Sequence, residues 1–168
     1  SNTIGVGLTD PEATLHVSGN SGFIVEGELD DSQEWEKAGY GTRMFFFPGK
    51  SAFRAGTVTG TQWDSDYLGS YTAAFGYNNL ASGDYSFIGG GYENTASGNY
   101  ASIPGGYKNV ALGDYSFAAG YSAEALHDGA FVWADSTPSL NSFQSVLANQ
   151  FLIRAYGGVG INTNDTEN

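Results

Sequence analysis

Residues 83–97 read GDYSFIGGGYENTAS, and the chain repeats the phrase at once as GNYASIPGGYKNVAL (98–112) and GDYSFAAGYSAEAL (113–126). Glycine opens each unit, at Gly69, Gly83, Gly98 and Gly113, with Gly129 as a degenerate fifth opener, at intervals of 14, 15, 15 and 16. Two residues after the openers stand Tyr71, Tyr85, Tyr100 and Tyr115, and a second column, Tyr77, Tyr92, Tyr107 and Tyr121, follows a glycine in mid-unit. Ala81, Ala96, Ala111 and Ala125 recur near the end of each unit, and Asn79, Asn94 and Asn109 fall in the turn before them. Such a unit is too short for a helix plus a strand, but it accommodates two strands of about five residues and two tight turns. The expected object is one coil of a narrow β-solenoid. Coils would stack about 4.8 Å apart, so that equivalent residues lie above one another and both tyrosine columns become ladders. Glycine is expected at the corners because it adopts positive φ without steric cost, and asparagine is the next residue type that tolerates this conformation. Alanine and serine fit inside so thin a coil.

Composition agrees. The chain has 168 residues, enough for one domain, with 25 Gly, 11 Tyr and 11 Phe but only 14% charged residues, and no long apolar stripe of helical period. An all-β chain is expected. It has no cysteine, so disulfides and thiolate zinc sites do not hold it together. No run of about 18 apolar residues occurs, and SNTIGVG at the N-terminus lacks the basic and apolar blocks of a signal peptide, so a soluble segment without membrane insertion is expected. A formal net charge of −12 repels phosphate backbones and argues against nucleic acid as a partner. A coil this thin also presents a Tyr and Phe face that needs covering, which points to association; the alternative is a monomeric solenoid capped at both ends.

The tandem run from about residue 69 to 126, with its Ala/Ser-x-Gly turns and short Ser/Ala-rich strands, resembles the head domain of trimeric autotransporter adhesins, the YadA-like left-handed parallel β-roll. NTIGVGLTDPEATLHVSGN near the N-terminus resembles the connector of phage tail fibres and related bacterial surface fibres, and GGVGINTND near the C-terminus begins the same connector again. These resemblances imply a homotrimer and a module of a longer fibre, exposed outside the cell, on its surface or on a virion-like appendage. The expected divisions are a connector (1–19), a non-repetitive cap with an acidic loop (20–68), the β-roll repeats (69–126), and a second cap leading into the next connector (127–168). In the first connector, Ala13, Leu15 and Val17 alternate with Thr14 and His16 as in a half-buried strand, which places His16 outward. QFLIRAY (150–156) reads as the clearest strand of the second cap.

Several stretches look chemical. Gly49, Lys50 and Ser51 match the end of a phosphate-binding loop, but Met44 stands where its first glycine belongs; Gly89, Gly90 and Gly91 fail the dinucleotide pattern because Asn94 replaces the third glycine. His16 and His127 are the only histidines and lie far apart in sequence, and nothing around His127 and Asp128 resembles a nucleophile elbow. Asp64, Ser65 and Asp66 could offer calcium hard oxygens, but without the spacing of a helix-loop-helix calcium loop. Otherwise no cofactor or metal is expected.

The segment EGELDDSQEWEKAGYG (26–41) has no solenoid period and crowds acids around Trp35 and Tyr40. It reads either as a solvated excursion with Trp35 in the core or as a sugar site, in which a ring stacks on the apolar sugar face while Asp30, Asp31 and Glu34 accept hydroxyl hydrogen bonds. Trp63 and Trp133 are expected to be core residues of the two caps. Three functions follow as expectations: a trimeric fibre module that recognises another cell through weak multivalent glycan binding, a structural spacer, and a polysaccharide depolymerase using a pair such as Asp30 and Glu34. The first is preferred, and no enzymatic activity is expected.

Overall fold

The computed structural model describes residues 4–6, 15–17, 26–30, 39–137 and 142–161. Near the N-terminus, β1 (Ile4–Val6) and β2 (Leu15–Val17) pair in parallel. The burial expected of Ala13, Leu15 and Val17, and the outward placement of His16, lie outside the described side chains. Next comes an antiparallel hairpin of β3 (Gly41–Phe47) and β4 (Ala52–Val58), joined by a 3-10 turn over Pro48–Lys50. From there every pairing in the described chain is parallel.

The first coil contributes β5 (Ala73–Tyr77) and β6 (Leu80–Ala81), the second β7 (Phe87–Ile88) and β8 (Thr95–Ala96). The third contributes β9 (Ser102–Ile103), β10 (Gly106–Tyr107) and β11 (Val110–Ala111), and the fourth β12 (Phe117–Tyr121) and β13 (Ala123–Ala125). A fifth, with a longer excursion, holds β14 (Phe131–Ala134) and β15 (Phe143–Gln144), and β16 (Phe151–Arg154) begins a sixth. One sheet runs β16-β14-β12-β9-β7-β5-β4-β3, with β10 beside β12; the second runs β15-β13-β11-β8-β6. Equivalent residues of successive units pair directly, as Leu80 with Thr95 and Thr95 with Val110. The described chain is thus nearly all-β, with no α-helix, and its parallel coils have the arrangement of a β-solenoid or roll. The strands within the coils are mostly two or three residues long, shorter than the five expected, because the corners consume the rest of each unit.

The interior is a slot between the two sheets, filled by Ala74, Ile88, Ile103, Ala118 and Val132 on one side and by Ala81, Ala96, Ala111 and Ala125 on the other, all fully buried. Alternation along each strand turns the neighbouring column outward. In the larger sheet that column runs Phe53, Ala73, Phe87, Ser102, Phe117, Phe131 and Phe151. Trp133 stands on the same outer face at 36% exposure, contrary to its expected place in a core; Trp63 is buried as expected. Trp133 pairs with Ala119 and alternates with the inward Val132, so strand parity sends its indole out.

The corner chemistry differs from expectation in an instructive way. Residues at positive φ include the tyrosines themselves, Tyr71, Tyr85, Tyr100 and Tyr115, at 58° to 60°. The opening glycines Gly69, Gly83, Gly98 and Gly113 do not have positive φ. A Cβ on Gly83 or Gly98 would strike the backbone of the next coil, so glycine is required there by close approach. Asn79, Asn94 and Asn109 are not corner residues in the left-handed region either; the residues just before them, Asn78, Glu93 and Lys108, hold φ of 51° to 53°. The three asparagines are fully buried and form a ladder. Asn94 Nδ2 donates to Asn79 Oδ1 (3.2 Å), Gly90 O (3.2 Å) and Gly106 O (3.0 Å), while Asn94 Oδ1 accepts from the backbone N–H of Asn109 (2.9 Å). An amide carries donors and acceptors together, so it satisfies the corner backbone above and below it. The ladder ends where Ala123 replaces asparagine and its N–H donates to Asn109 Oδ1 (3.0 Å).

At the N-terminal end, Arg54 closes the slot. Its fully buried guanidinium donates to Phe53 O (3.0 Å), Thr72 O (3.3 Å), Thr72 Oγ1 (2.9 Å) and Ala81 O (2.9 Å). Burial lowers its pKa to about 10. Trp63 is fully buried in the cap, and its Nε1 donates to Asn79 O (3.2 Å), which ties the cap to the first rung of the asparagine ladder.

Candidate functional site

Both tyrosine columns form stacks. Tyr71, Tyr85, Tyr100 and Tyr115 lie with ring centroids 4.8, 4.7 and 5.0 Å apart and planes within 8° of parallel. Tyr77, Tyr92, Tyr107 and Tyr121 stack at 4.9, 5.2 and 5.0 Å. The separation equals the rise from coil to coil, so one side-chain conformation repeated at each rung generates the stack. A ring inside either stack has both faces occupied; only a terminal ring can offer a face to a ligand.

A second ladder runs alongside the first column, one residue earlier in each unit. The backbone N–H of Ser70 donates to Asp84 Oδ1 (2.8 Å), that of Asp84 to Asn99 Oδ1 (3.1 Å), that of Asn99 to Asp114 Oδ1 (2.8 Å), and that of Asp114 to Asp128 Oδ1 (2.9 Å). The sequence carries its signal in the phrase Gly-Asp/Asn-Tyr, in which a short side chain capable of accepting a backbone N–H always precedes the tyrosine. Sequence reasoning passed over it because attention to tyrosine and glycine left the acids as solvated turn residues.

The ladder and the stack meet the cap in a cleft of about 410 Å³, lined by Leu29, Asp30, Ser70, Tyr71 and Asp84. Three elements build it. The acidic segment is anchored where the backbone N–H of Asp30 donates to Gly49 O (3.1 Å), in the 3-10 turn of the hairpin. Lys50, in the same turn, accepts from the backbone N–H of Tyr71 (2.7 Å) and donates through Nζ to Ser65 O (3.1 Å) and Leu68 O (2.8 Å). The residues that mimic a phosphate loop therefore serve as a staple between hairpin, 3-10 turn and first coil. Tyr71 is the terminal ring of its stack, and Asp30 and Asp84 are the two acidic residues of the lining.

Of the expected sugar-binding residues, Asp30 is in this cleft, and the structure adds Tyr71, Ser70 and Asp84, none of which the sequence singled out as ligand contacts. Tyr40 is 82% exposed and is not among the cleft's lining. Asp31, Glu34 and Trp35 lie outside the described residues, and so does the geometry of the Asp30 and Glu34 pair. In the segment considered for calcium, Asp64 Oδ1 accepts from the backbone N–H of Gly39 (2.6 Å), and Ser65 O accepts from Lys50. Among the described residues no group of three or more His, Cys, Asp or Glu side chains converges as a metal site, and no helix is long and apolar enough to cross a membrane. His127 Nδ1 lies 3.0 Å from Ser145 Oγ; the same hydroxyl accepts from the backbone N–H of Leu126 (2.9 Å), so it works as a corner staple.

Chemically, the cleft combines an aromatic surface, a hydroxyl and two carboxylates on a strongly acidic chain. That set accepts hydrogen bonds from hydroxyl or amine groups and repels anions. Comparison with protein-family models, with curated proteins and with solved structures gives no match for the chain.

Proposed function

We propose that the chain is a rigid module of a trimeric extracellular fibre, on a cell surface or a tail-like appendage, and that it recognises another cell by weak, multivalent binding of envelope glycans. A left-handed YadA-like roll, further modules of the same fibre on either side, and a glycan ligand belong to this reading. The observation that carries it is the cleft in which the terminal ring of a tyrosine stack meets Asp30, Asp84 and Ser70. A pyranose presents an apolar face to a ring and hydroxyl donors at its rim, which is the complement of that lining.

Support for self-association comes from the outer face of the larger sheet. Phe117 and Phe131 stack at 4.5 Å, Phe131 and Phe151 at 4.6 Å, and Phe87, Trp133 and Phe151 are exposed in the single chain. The three stacked rings Phe117, Phe131 and Phe151, with Phe87 beyond the interruption at Ser102, are costly to leave in water, and identical rods can cover them by packing side by side. Threefold symmetry would triplicate each weak site, so avidity raises apparent affinity with no single strong contact.

Binding of the intact protein to printed glycans tests the proposal. Tyr71→Asn, which keeps a residue tolerant of positive φ, and Asp30→Asn should each weaken binding by about tenfold or more, the loss expected for one stacking or charge-assisted contact. Unchanged binding in both variants would contradict the cleft, equal binding by monomer and trimer would contradict the avidity, and absence of glycan binding by the intact protein would favour a spacer.

A further inference from the structure

The column of Tyr71, Tyr85, Tyr100 and Tyr115 does not stop at the fourth coil. The backbone N–H of Tyr115 donates to Asn99 O, that of Gly129 to Asp114 O (2.8 Å), and that of Asn149 to Asp128 O (2.8 Å). Gly129 and Asn149 therefore occupy the fifth and sixth positions of the tyrosine column, with φ of 64° and 60° against 58° for Tyr115. The residue facing Gly113 across the coils is His127, so Gly129 is not the degenerate opener that spacing alone suggested. It is the tyrosine position with its side chain deleted.

The consequence is visible at Tyr115. It is 69% exposed, whereas Tyr71, Tyr85 and Tyr100 are at 44%, 48% and 49%. One ring face rests on Tyr100, and the other looks across a side-chain-free rung toward Asn149, two rungs or roughly 10 Å away. That spacing is about what one ring needs for contact on both sides. The Asn149 side chain leans against the backbone of Gly129 and closes the inner wall of the gap, since a Cβ on Gly129 would strike its Oδ1. One carboxylate borders the rung: Asp128 Oδ1 accepts from the backbone N–H of Asp114 (2.9 Å) and the group retains lone pairs for further donors, whereas Asp114 Oδ1 is turned the other way, to the N–H of Asn99 (2.8 Å).

We propose that this rung is a second ligand subsite, which takes one uncharged pyranose ring stacked on the outer face of Tyr115, with a hydroxyl donating to Asp128. Stacking supplies an apolar contact that any flat ring would accept; the carboxylate selects a hydroxyl donor, and the net charge of −12 disfavours uronates and other acidic sugars. The subsite rests on the glycan reading above but lies at the opposite end of the stack from the cleft at Tyr71, so the two sites can fail separately.

The test is titration of the intact protein with chitotetraose and cellotetraose as neutral probes and a galacturonate tetramer as the acidic control, followed by ligand-observed NMR. The deciding variant is Gly129→Tyr. It places a fifth tyrosine at the φ the other four adopt, needs only that the Asn149 side chain swing aside, and fills the gap from within. It should fold with unchanged or raised Tm and, in an Asp30→Asn background that disables the cleft at Tyr71, weaken the remaining binding of a neutral tetrasaccharide by about tenfold or more, as should Tyr115→Asn in the same background. Unaltered binding in a folded Gly129→Tyr protein of that background, equal binding of the galacturonate tetramer, or no saturable binding up to about 10 mM of either neutral probe would overturn the subsite. Loss of glycan binding in Tyr71→Asn and Asp30→Asn but not in Gly129→Tyr would remove this subsite and leave the cleft standing.

Discussion

The two ends of the solenoid close the same interior by different means. At the N-terminal end, an antiparallel hairpin lies against the first coil, Arg54 donates to the carbonyls at the mouth of the slot, and Trp63 is fully buried. At the C-terminal end, β16 pairs only with β14, and Phe151 and Tyr156 stand 68% and 88% exposed. A sheet edge lined with exposed rings is a surface on which another coil or module can continue, whereas a plugged end is not. Among the described residues, one end of the interior is thus plugged and the other is edged by exposed rings.

That contrast can be broken most severely at Arg54. Arg54→Ala should cost about 3–5 kcal/mol, because several buried carbonyls lose their donor together. Chemical denaturation should show the loss as a fall in midpoint at constant slope. A cost near that of an exposed substitution would mean that the hairpin, and not the arginine, seals the slot.

The ladders should respond less. Asn94→Ala removes the middle rung between Asn79 and Asn109, leaves the buried N–H of Asn109 without its acceptor and takes one of two donors from Gly106 O, which keeps the N–H of Tyr92, at about 1–3 kcal/mol by the same unfolding measurement. Ala123 occupies the corresponding position of the fourth coil without such a cost, because no asparagine above it depends on its side chain. Asn109→Ala, one rung nearer that end, removes the equivalent bonds to the Ala123 N–H, Gly120 O and Gly105 O and tests whether the ladder is cooperative.

The stacks give a smaller and graded effect. Tyr100→Asn loses two ring contacts and Tyr115→Asn one, so the first should cost about 0.5–1.5 kcal/mol more than the second. Equal costs would show that the stacking follows from the coil spacing without stabilising it.

The smallest effect is confined to the C-terminal end and depends on pH. The backbone N–H of Tyr156 donates to Asp135 Oδ2 (2.6 Å); this bond first, with help from Thr137 and Arg154, holds the Asp135 carboxyl below its ordinary pKa. A depressed carboxylate stabilises the fold above its unfolded pKa, and that contribution disappears as pH falls through the folded value. Acidification should therefore release the Tyr156 amide while the central coils keep theirs, and Asp135→Asn should abolish the pH dependence of that resonance. A Tyr156 amide that titrates together with the central coils would contradict the local origin.

How much of this was legible in the sequence follows from what a period encodes. Spacing gave the stacked parallel coils and both tyrosine ladders, because any residue repeated at the coil length must lie above its equivalent. It misplaced the corner chemistry, since Gly83 is demanded by the neighbouring coil and Tyr85 accepts positive φ, and neither is a local propensity. It also misassigned Gly129, because counting from glycine to glycine hides a deletion in the tyrosine column that only the hydrogen-bond register reveals. Asp30 was named as a ligand contact from an acidic cluster, but Asp84 and Tyr71 reach the same cleft through the fold, from units that read as structural.

The most direct measurement of the central claim, that these coils form one strand of a trimeric fibre, is the solution mass by light scattering at micromolar concentration without cross-linker. The expected result is a mass near three times 17.7 kDa, falling to the monomer value when Phe117, Phe131 and Phe151 are replaced together by serine. A mass of 17.7 kDa for the unaltered chain would contradict the trimer and leave its column of exposed phenyl rings without the covering proposed for it.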